Sequence, residues 1–176
     1  GFCFRYHEGI RKTKQMVKSG KVGRLISIRA LVGEYFPEIR PDYKSLYYAK
    51  YSGAFELIHD LDLAIWFADQ PIRKVYSVFG SFSDIGIEAP DIAEFLLEFE
   101  DRCVATVHLD FFQIPRRRYI ELIGSKGVLI MEFGSWDEFS ISLYNKESKE
   151  WESNTYKSDR DDMFRDEDRE FLESVV

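Results

Sequence analysis

Apolar residues recur along this chain with two different spacings, and the change from one to the other marks out its elements. Between Glu8 and Lys18, residues Ile10, Thr13 and Val17 fall three and four apart and Ser19-Gly20 follows as a helix stop, so the spacing predicts a first helix over 8–18. Phe2 to Tyr6 alternates loosely and reads as a short strand. After Gly23, residues Ile26, Ile28, Ala30 and Val32 share one face of a period-two segment, a strand with one well-buried side. Leu57, Leu61, Ala64 and Ile65 return to helical spacing and predict a second helix from Gly53 to Ala68, ended by Gln70-Pro71. Beyond Pro71 alternation dominates: 72–83, 92–99, 103–112, 118–123, 128–133 and 139–144 read as strands. The turns between them are short, as at Glu100-Asp101-Arg102, and short turns require antiparallel neighbours. The chain is polar after Trp151 until Phe164, Phe171, Leu172 and Val175 mark a last helix that the chain end cuts short.

Strand, helix, strand, helix and then an antiparallel meander predict an α+β fold: a large, mostly antiparallel open sheet with helices packed on one face. Cys103, Ala105, Val107, Leu109 and Phe111 form the side that meets the helices. Val104, Thr106, His108 and Asp110 form a semi-polar second side, and an open face of that kind is a plausible subunit interface. One stretch fits neither spacing. From Glu34 to Ser52 the aromatics Tyr35, Tyr43, Tyr47, Tyr48 and Tyr51 are mixed with Arg40, Pro41, Asp42, Lys44 and Lys50, and a loop this long and this aromatic is expected to bind something.

Composition narrows the function classes. The 176 residues, 45% apolar and 16% aromatic, suffice for one domain with a real core. A net charge of −7 argues against nucleic acid or an anionic membrane as the main partner. Charges at Arg5, Glu8, Arg11, Lys12, Lys14 and Lys18 occupy the place of a signal peptide's apolar stretch, so the chain reads as cytoplasmic. Cys3 and Cys103 lie far apart and read as buried thiols. No spacing of the glycines makes GxGxxG or a phosphate loop, so no cofactor-binding residues are expected here.

Candidate chemistry concentrates at Glu56-Leu57-Ile58-His59-Asp60-Leu61-Asp62. Carboxylates one helical turn to either side of His59 favour its cationic form and raise its pKa, as a proton shuttle at a hydroxyl or carbonyl requires. A surface charge network around an ordinary helix histidine has the same spacing. A metal site built from Glu56, His59 and Asp60 or Asp62 lacks a second histidine, and no metal is expected. His108 and Asp110 share one strand face and read as satisfied sheet residues or a pocket wall. Arg116-Arg117-Arg118, isolated in an acidic chain, reads as a strand start whose side chains pair with carboxylates or hold one anionic group.

Several stretches together resemble the C-terminal domain of the glucose-fructose oxidoreductase / inositol dehydrogenase (Gfo/Idh/MocA) family. They are Gly1-Phe2-Cys3-Phe4-Arg5-Tyr6-His7, Val17-Lys18-Ser19-Gly20-Lys21-Val22-Gly23, the 35–44 segment Tyr35-Phe36-Pro37 to Tyr43-Lys44, the 56–62 segment, Ala89-Pro90-Asp91, Val107-His108-Leu109-Asp110 and Ile123-Gly124-Ser125-Lys126-Gly127. The resemblance implies a dihydrodipicolinate reductase/glyceraldehyde-3-phosphate dehydrogenase-like C-terminal domain over 1–176, without its N-terminal Rossmann domain, serving substrate binding and oligomerisation. It implies the substrate-binding half of an NAD(P)-dependent oxidoreductase acting on a hydroxyl of a sugar, nucleotide sugar or cyclitol, with NAD or NADP held mainly by the domain outside this chain. His59 then stands as the acid/base residue, Glu56 where the family usually has aspartate, and Arg5, Arg40, Tyr43 and Asp62 hold substrate. The isolated chain is expected to be inactive and to form a homo-oligomer through its open sheet face. The resemblance departs at Ser52-Gly53-Ala54, a reduced form of the family's glycine run. The alternative reading is a non-catalytic binding or dimerisation module.

Overall fold

The computed structural model describes residues 1–47 and 52–175, so Tyr48, Lys50 and Tyr51 of the aromatic loop lie outside the described residues. The fold is α+β, with strands β1 (Leu25–Gly33), β2 (Ile72–Gly80), β3 (Ile92–Phe99), β4 (Val104–Asp110), β5 (Arg117–Gly124), β6 (Gly127–Phe133), β7 (Glu138–Asn145) and β8 (Glu150–Lys157). Their order in the sheet is β2-β3-β4-β1-β5-β6-β7-β8. Of the ladders described, β2–β3, β3–β4, β6–β7 and β7–β8 are antiparallel and β1–β4 is parallel. The chain divides into two compact units, Gly1–Ile26 with Glu121–Val176 and Ser27–Ile120.

In the second unit, Ser27–Ile120, register separates two faces. Ile28, Ala30 and Val32 of β1 lie beside Ala105, Val107 and Leu109 of β4, and across β4 lie Leu97, Phe95 and Ala93 of β3. This side packs against a 3₁₀ turn, Gly53–Leu57, and helix α4 (His59–Ala68). Between β1 and α4 come two single-turn helices, α2 (Phe36–Ile39) and α3 (Tyr43–Leu46). Phe36 stacks on Phe111 at 3.6 Å between ring centroids, and the buried Tyr47 closes on both rings at 5.4 and 5.0 Å.

The opposite face of that unit is open. Tyr76, Val78, Leu96 and Val104 are 55%, 59%, 42% and 41% exposed, and a shallow groove of about 470 Å³ runs between Tyr76, Val78, Glu94, Leu96 and Thr106. His108 sits on this face with Nδ1 2.5 Å from Glu94 Oε1 and Nε2 2.7 Å from Asp110 Oδ2. The Asp110 hydrogen bond and then the Glu94 contact outweigh burial and push the imidazole up to about 9.

The first unit carries α1 (Glu8–Lys18), laid on β6 and β7, and α5 (Asp162–Val175), packed on a 3₁₀ turn at Cys3–Tyr6. Gly9 makes the first contact possible, since a Cβ there would stand 2.6 Å from Met131 and 2.7 Å from the Phe139 ring. His7 caps α1, its Nδ1 accepting from the Gly9 N–H at 3.1 Å. Among the described residues no helix is long and apolar enough to cross a membrane.

Several expectations are corrected. The segment expected as a strand over Phe2 to Tyr6 instead holds a 3₁₀ turn, Cys3–Tyr6, in which Cys3 and Phe4 are both buried although consecutive strand residues face opposite sides. Ile26 is 40% exposed while Leu25 is buried, so the alternation of β1 holds from Ile28 onward. The second helix is broken at Ile58. With α4 starting at His59, its buried stripe is Leu63, Ala64, Phe67 and Ala68, and Leu61 and Ile65 are half-buried. An eighth strand, β8, follows where the chain reads as polar. It is a largely exposed edge held by β7, with Tyr156 stacked on Phe139.

Gly53 has a φ of +72, and a Cβ there would lie 2.2 Å from the Pro90 carbonyl oxygen. Gly53→Ala is therefore expected to destabilise the protein by about 2–4 kcal/mol in urea unfolding, from left-handed strain and a backbone clash together. Gly20→Ala is the control. Its φ is +79 but nothing lies within 4 Å of the added Cβ, so a cost of about 1 kcal/mol is expected.

His108 titrates well above its unfolded value, so its stabilising contribution is complete below the unfolded pKa and is lost as pH rises through about 9. Between pH 7 and 10, unfolding free energy is expected to fall by roughly 1–2 kcal/mol more for the wild type than for His108→Gln, a value reduced by the solvent exposure of Glu94. Parallel stability curves for the two proteins would contradict the assignment.

Candidate functional site

The residues singled out around His59 lie in the second unit. Gly53-Ala54 docks on the loop before β3, where the Ala54 N–H donates to the Pro90 carbonyl at 2.8 Å. The adjoining Asp91 is buried and accepts from the Phe82 and Ser83 N–H groups and the Ser83 hydroxyl at 2.6 to 2.8 Å, which fixes that loop. The 3₁₀ winding that follows leaves Glu56 exposed and Leu57 buried. Glu56 is held by an inward-facing partner: the Tyr47 hydroxyl donates to Glu56 Oε2 at 2.8 Å. Burial and this carboxylate push the Tyr47 phenol well above its ordinary value.

His59 is half-buried and opens α4, followed in the first turn by Asp60 and Asp62, whose negative charge suits a helix N-terminus. Asp60 is fully enclosed. Its carboxylate takes both arms of the Arg118 guanidinium, Nε to Oδ1 at 3.2 Å and Nη2 to Oδ2 at 2.5 Å, with side chains only 2% and 4% exposed. Burial pushes the Asp60 carboxyl up, and Arg118 draws it back. A second pair flanks the first, Arg116 Nε on Glu34 Oε1 at 2.7 Å. In the arginine run, Arg116 and Arg118 thus pair with carboxylates at the start of β5, and Arg117 lies over the Tyr119 ring.

The electrostatics of His59 reverse the expectation from its flanking carboxylates. Burial and then the Arg118 charge lower its pKa from the ordinary histidine value, and Asp60 and Asp62 only partly oppose them. Spacing along the helix registers the two acids, but it is blind to burial and to a guanidinium that pairs with Asp60 from 58 residues away.

The remaining candidates are placed as follows. Arg40 ends α2 at the surface, close enough to Tyr47 for its charge to bear on the phenol. Tyr43 is half-buried and its hydroxyl donates to the Ile85 carbonyl at 2.7 Å. Asp62 is half-buried one turn along α4 from His59. Arg5 belongs to the first unit, in the Cys3–Tyr6 turn, with its guanidinium 5.8 Å from the centroid of the Phe2 ring. Sequence reasoning missed Tyr47 as the holder of Glu56. The available signal was an aromatic inside a loop that already carried Phe36, whose ring it meets.

One glycine occupies a position where a phosphate-binding glycine can stand. Gly33 ends β1 just before α2, as a phosphate-binding glycine would, but a Cβ there would meet Asp110 Oδ2 and Gln113 Oε1 at 2.4 Å, so side chains already fill the space.

Comparison with known proteins places this architecture. The chain has the fold of a myo-inositol 2-dehydrogenase from Lactobacillus plantarum, with a TM-score of 0.73 at 22% identity over 99% of this chain and 53% of that one. An inositol dehydrogenase homolog from Azotobacter vinelandii, solved with NAD+, gives 0.71 at 14% identity over 88% of this chain and 42% of that one. The WlbA dehydrogenase from Bordetella pertussis, solved with NADH and UDP-GlcNAcA, gives 0.65 at 20% identity over 76% and 40%. The chain spans about half the length of these proteins or somewhat less. No curated protein sequence matches it. The profile described as GFO/IDH/MocA C-terminal domain matches residues 10–130, which is most of the chain, and on that match the chain belongs to the Gfo/Idh/MocA oxidoreductase family as a C-terminal domain.

Proposed function

We propose that this chain is the substrate-binding half of an NAD(P)-dependent oxidoreductase that acts on a hydroxyl of a sugar, nucleotide sugar or cyclitol, with His59 as the acid/base residue. The observation that carries the reading is the state of His59. It is half-buried at the start of α4, and burial and Arg118 favour a neutral imidazole, the form that accepts a proton from an alcohol as its carbon is oxidised. Dehydrogenases of inositols and of a nucleotide sugar among the proteins of the same fold support the substrate class. NAD or NADP, supplying the hydride acceptor, is held mainly by an N-terminal domain outside this chain.

Glu56, fixed by Tyr47, is the second catalytic group, placed to accept a hydrogen bond from a substrate hydroxyl. Arg40, Tyr43 and Asp62 bind substrate polar groups. The Tyr43 hydroxyl donates its proton to Ile85, so toward a ligand it offers an acceptor lone pair. Arg5 takes a substrate-binding role on the family resemblance.

In the intact oxidoreductase, His59→Ala is expected to lower kcat about 10²- to 10⁴-fold with unchanged thermal stability, assayed with NAD+ and NADP+ against a panel of cyclitols and sugars. The isolated chain is expected to show neither turnover nor dinucleotide binding by calorimetry. Tight NAD+ binding by the isolated chain, or full activity after His59→Ala, would overturn the reading.

A homo-oligomer through the open face of the second unit belongs to the same proposal. It rests on the exposed Tyr76, Val78, Leu96 and Val104. The double variant Val78→Asp/Leu96→Asp is expected to be monomeric by light scattering where the wild type self-associates. If those substitutions abolish assembly and function while His59→Ala leaves function intact, the non-catalytic dimerisation module replaces the enzyme reading.

A further inference from the structure

In the first unit α1 and α5 begin on the two sides of an open cleft of about 540 Å³, a volume in the range that small-molecule sites occupy. Two buried side chains, His7 and Met163, belong to its lining. So does a hydroxyl with nothing to bond to: among the described residues Ser158 Oγ is buried and has no hydrogen-bond partner. Ser158 follows β8, and its N–H is tied to the Asp137 carbonyl at 2.8 Å. The neighbouring His7 does not serve it through Nδ1, which already accepts from the Gly9 N–H. Buried polar atoms in folded proteins nearly all find a partner, because a hydroxyl taken out of water without one costs free energy. Packing does not explain a serine in this place, since alanine would fill nearly the same volume without that cost.

The charges around the cleft select the kind of ligand. Helix N-termini favour negative charge, and Glu8 and Asp162 already supply it in the first turns of α1 and α5. Both lining cations are matched as well: Lys12 Nζ lies 2.6 Å from Glu8 Oε1, and Arg11 Nη1 lies 2.9 Å from Asp166 Oδ2. Arg165 Nη1 stands 2.9 Å from Asp162 Oδ1 and 3.5 Å from Asp159 Oδ2. An ionic ligand would have to displace one of these partners. A neutral hydroxyl need not, since it donates to a carboxylate lone pair and accepts from an ammonium or guanidinium proton that the pair leaves over. Gln15, on the same side as Lys12, adds an amide that both donates and accepts. A lining with donors and acceptors of compensated charge suits a molecule whose polar groups are each both.

We propose that this cleft binds a neutral polyhydroxylated small molecule of monosaccharide size, one of whose hydroxyls completes the hydrogen bonding of Ser158. The site requires nothing of His59, which belongs to the second unit.

The test is an NMR titration of the isotope-labelled protein with glucose, myo-inositol and sorbitol, read at the assigned resonances of His7, Gln15 and Ser158. Saturable shifts at these residues are expected from at least one of the three. Ser158→Ala is expected to weaken that binding about three- to tenfold, the loss of one hydrogen bond, with thermal stability equal to or above the wild type because the orphaned hydroxyl goes with it. A serine with a merely structural role would lower stability on removal and leave binding alone. Gln15→Ala, at an exposed position, is expected to weaken binding about two- to fivefold without touching stability.

Inorganic phosphate and spermidine are the ionic probes, and neither is expected to shift these resonances saturably. Binding of either ion here in place of the polyols overturns the proposal. So does the absence of shifts from all three polyols, which would leave water only at Ser158, and so does Ser158→Ala binding as the wild type binds. Shifts confined to residues around His59 would put the polyol in the second unit and overturn the site while supporting the proposed substrate class.

Discussion

Neither Asp60 nor Arg118 can be left alone inside the second unit. Removing one partner from a buried pair exposes the other to the full cost of an uncompensated charge in a low-dielectric interior, about 3–5 kcal/mol. The pair therefore ties the first turn of α4 to β5, and what neighbours that turn is placed with it. His59 is one residue away, half-buried, and burial acts before the Arg118 charge in lowering its pKa.

A second set of constraints places Glu56. Gly53 adopts a backbone that its Cβ-bearing neighbours could not, directly against the Pro90 carbonyl, and Asp91 fixes the loop that supplies that carbonyl. From this anchor the chain winds as a 3₁₀ turn before the α-helix begins, so Glu56 is reached by Tyr47 from the α3 side rather than continuing the helix of His59. Tyr47 in turn is held by Phe36 and Phe111, and that aromatic cluster gives the 34–47 stretch a core of its own.

The open face of the same unit follows a different logic. Apolar side chains stand beside a histidine that contacts two carboxylates, Glu94 and Asp110, and is pushed up to about 9. Asp110 is the fixed member. Its other oxygen accepts from the Phe112 and Gln113 N–H groups, which close the turn at the end of β4. The histidine thus links a sheet residue that is free to face solvent with one that is part of the fold's frame.

The sequence by itself determined the α+β class, the first helix, and the two faces of β4, because each follows from local periodicity: spacing decides which side chains share a face before any partner is present. It also picked out His59, Glu56 and the arginine run. Their electrostatics were legible only in part. The 8–18 helix matches end to end, whereas the 53–68 helix is broken, since Gly53, Ala54 and Glu56 answer to Pro90 and Tyr47, which local spacing does not register. β8 has no apolar face to betray it, being an edge that only its pairing with β7 defines. The lowering of the His59 pKa comes first from burial and then from Arg118, and both arise only when the sheet and helix have packed together. Periodicity is a property of neighbours in the chain, but burial and long-range charge are properties of neighbours in space, and tertiary structure alone decides those.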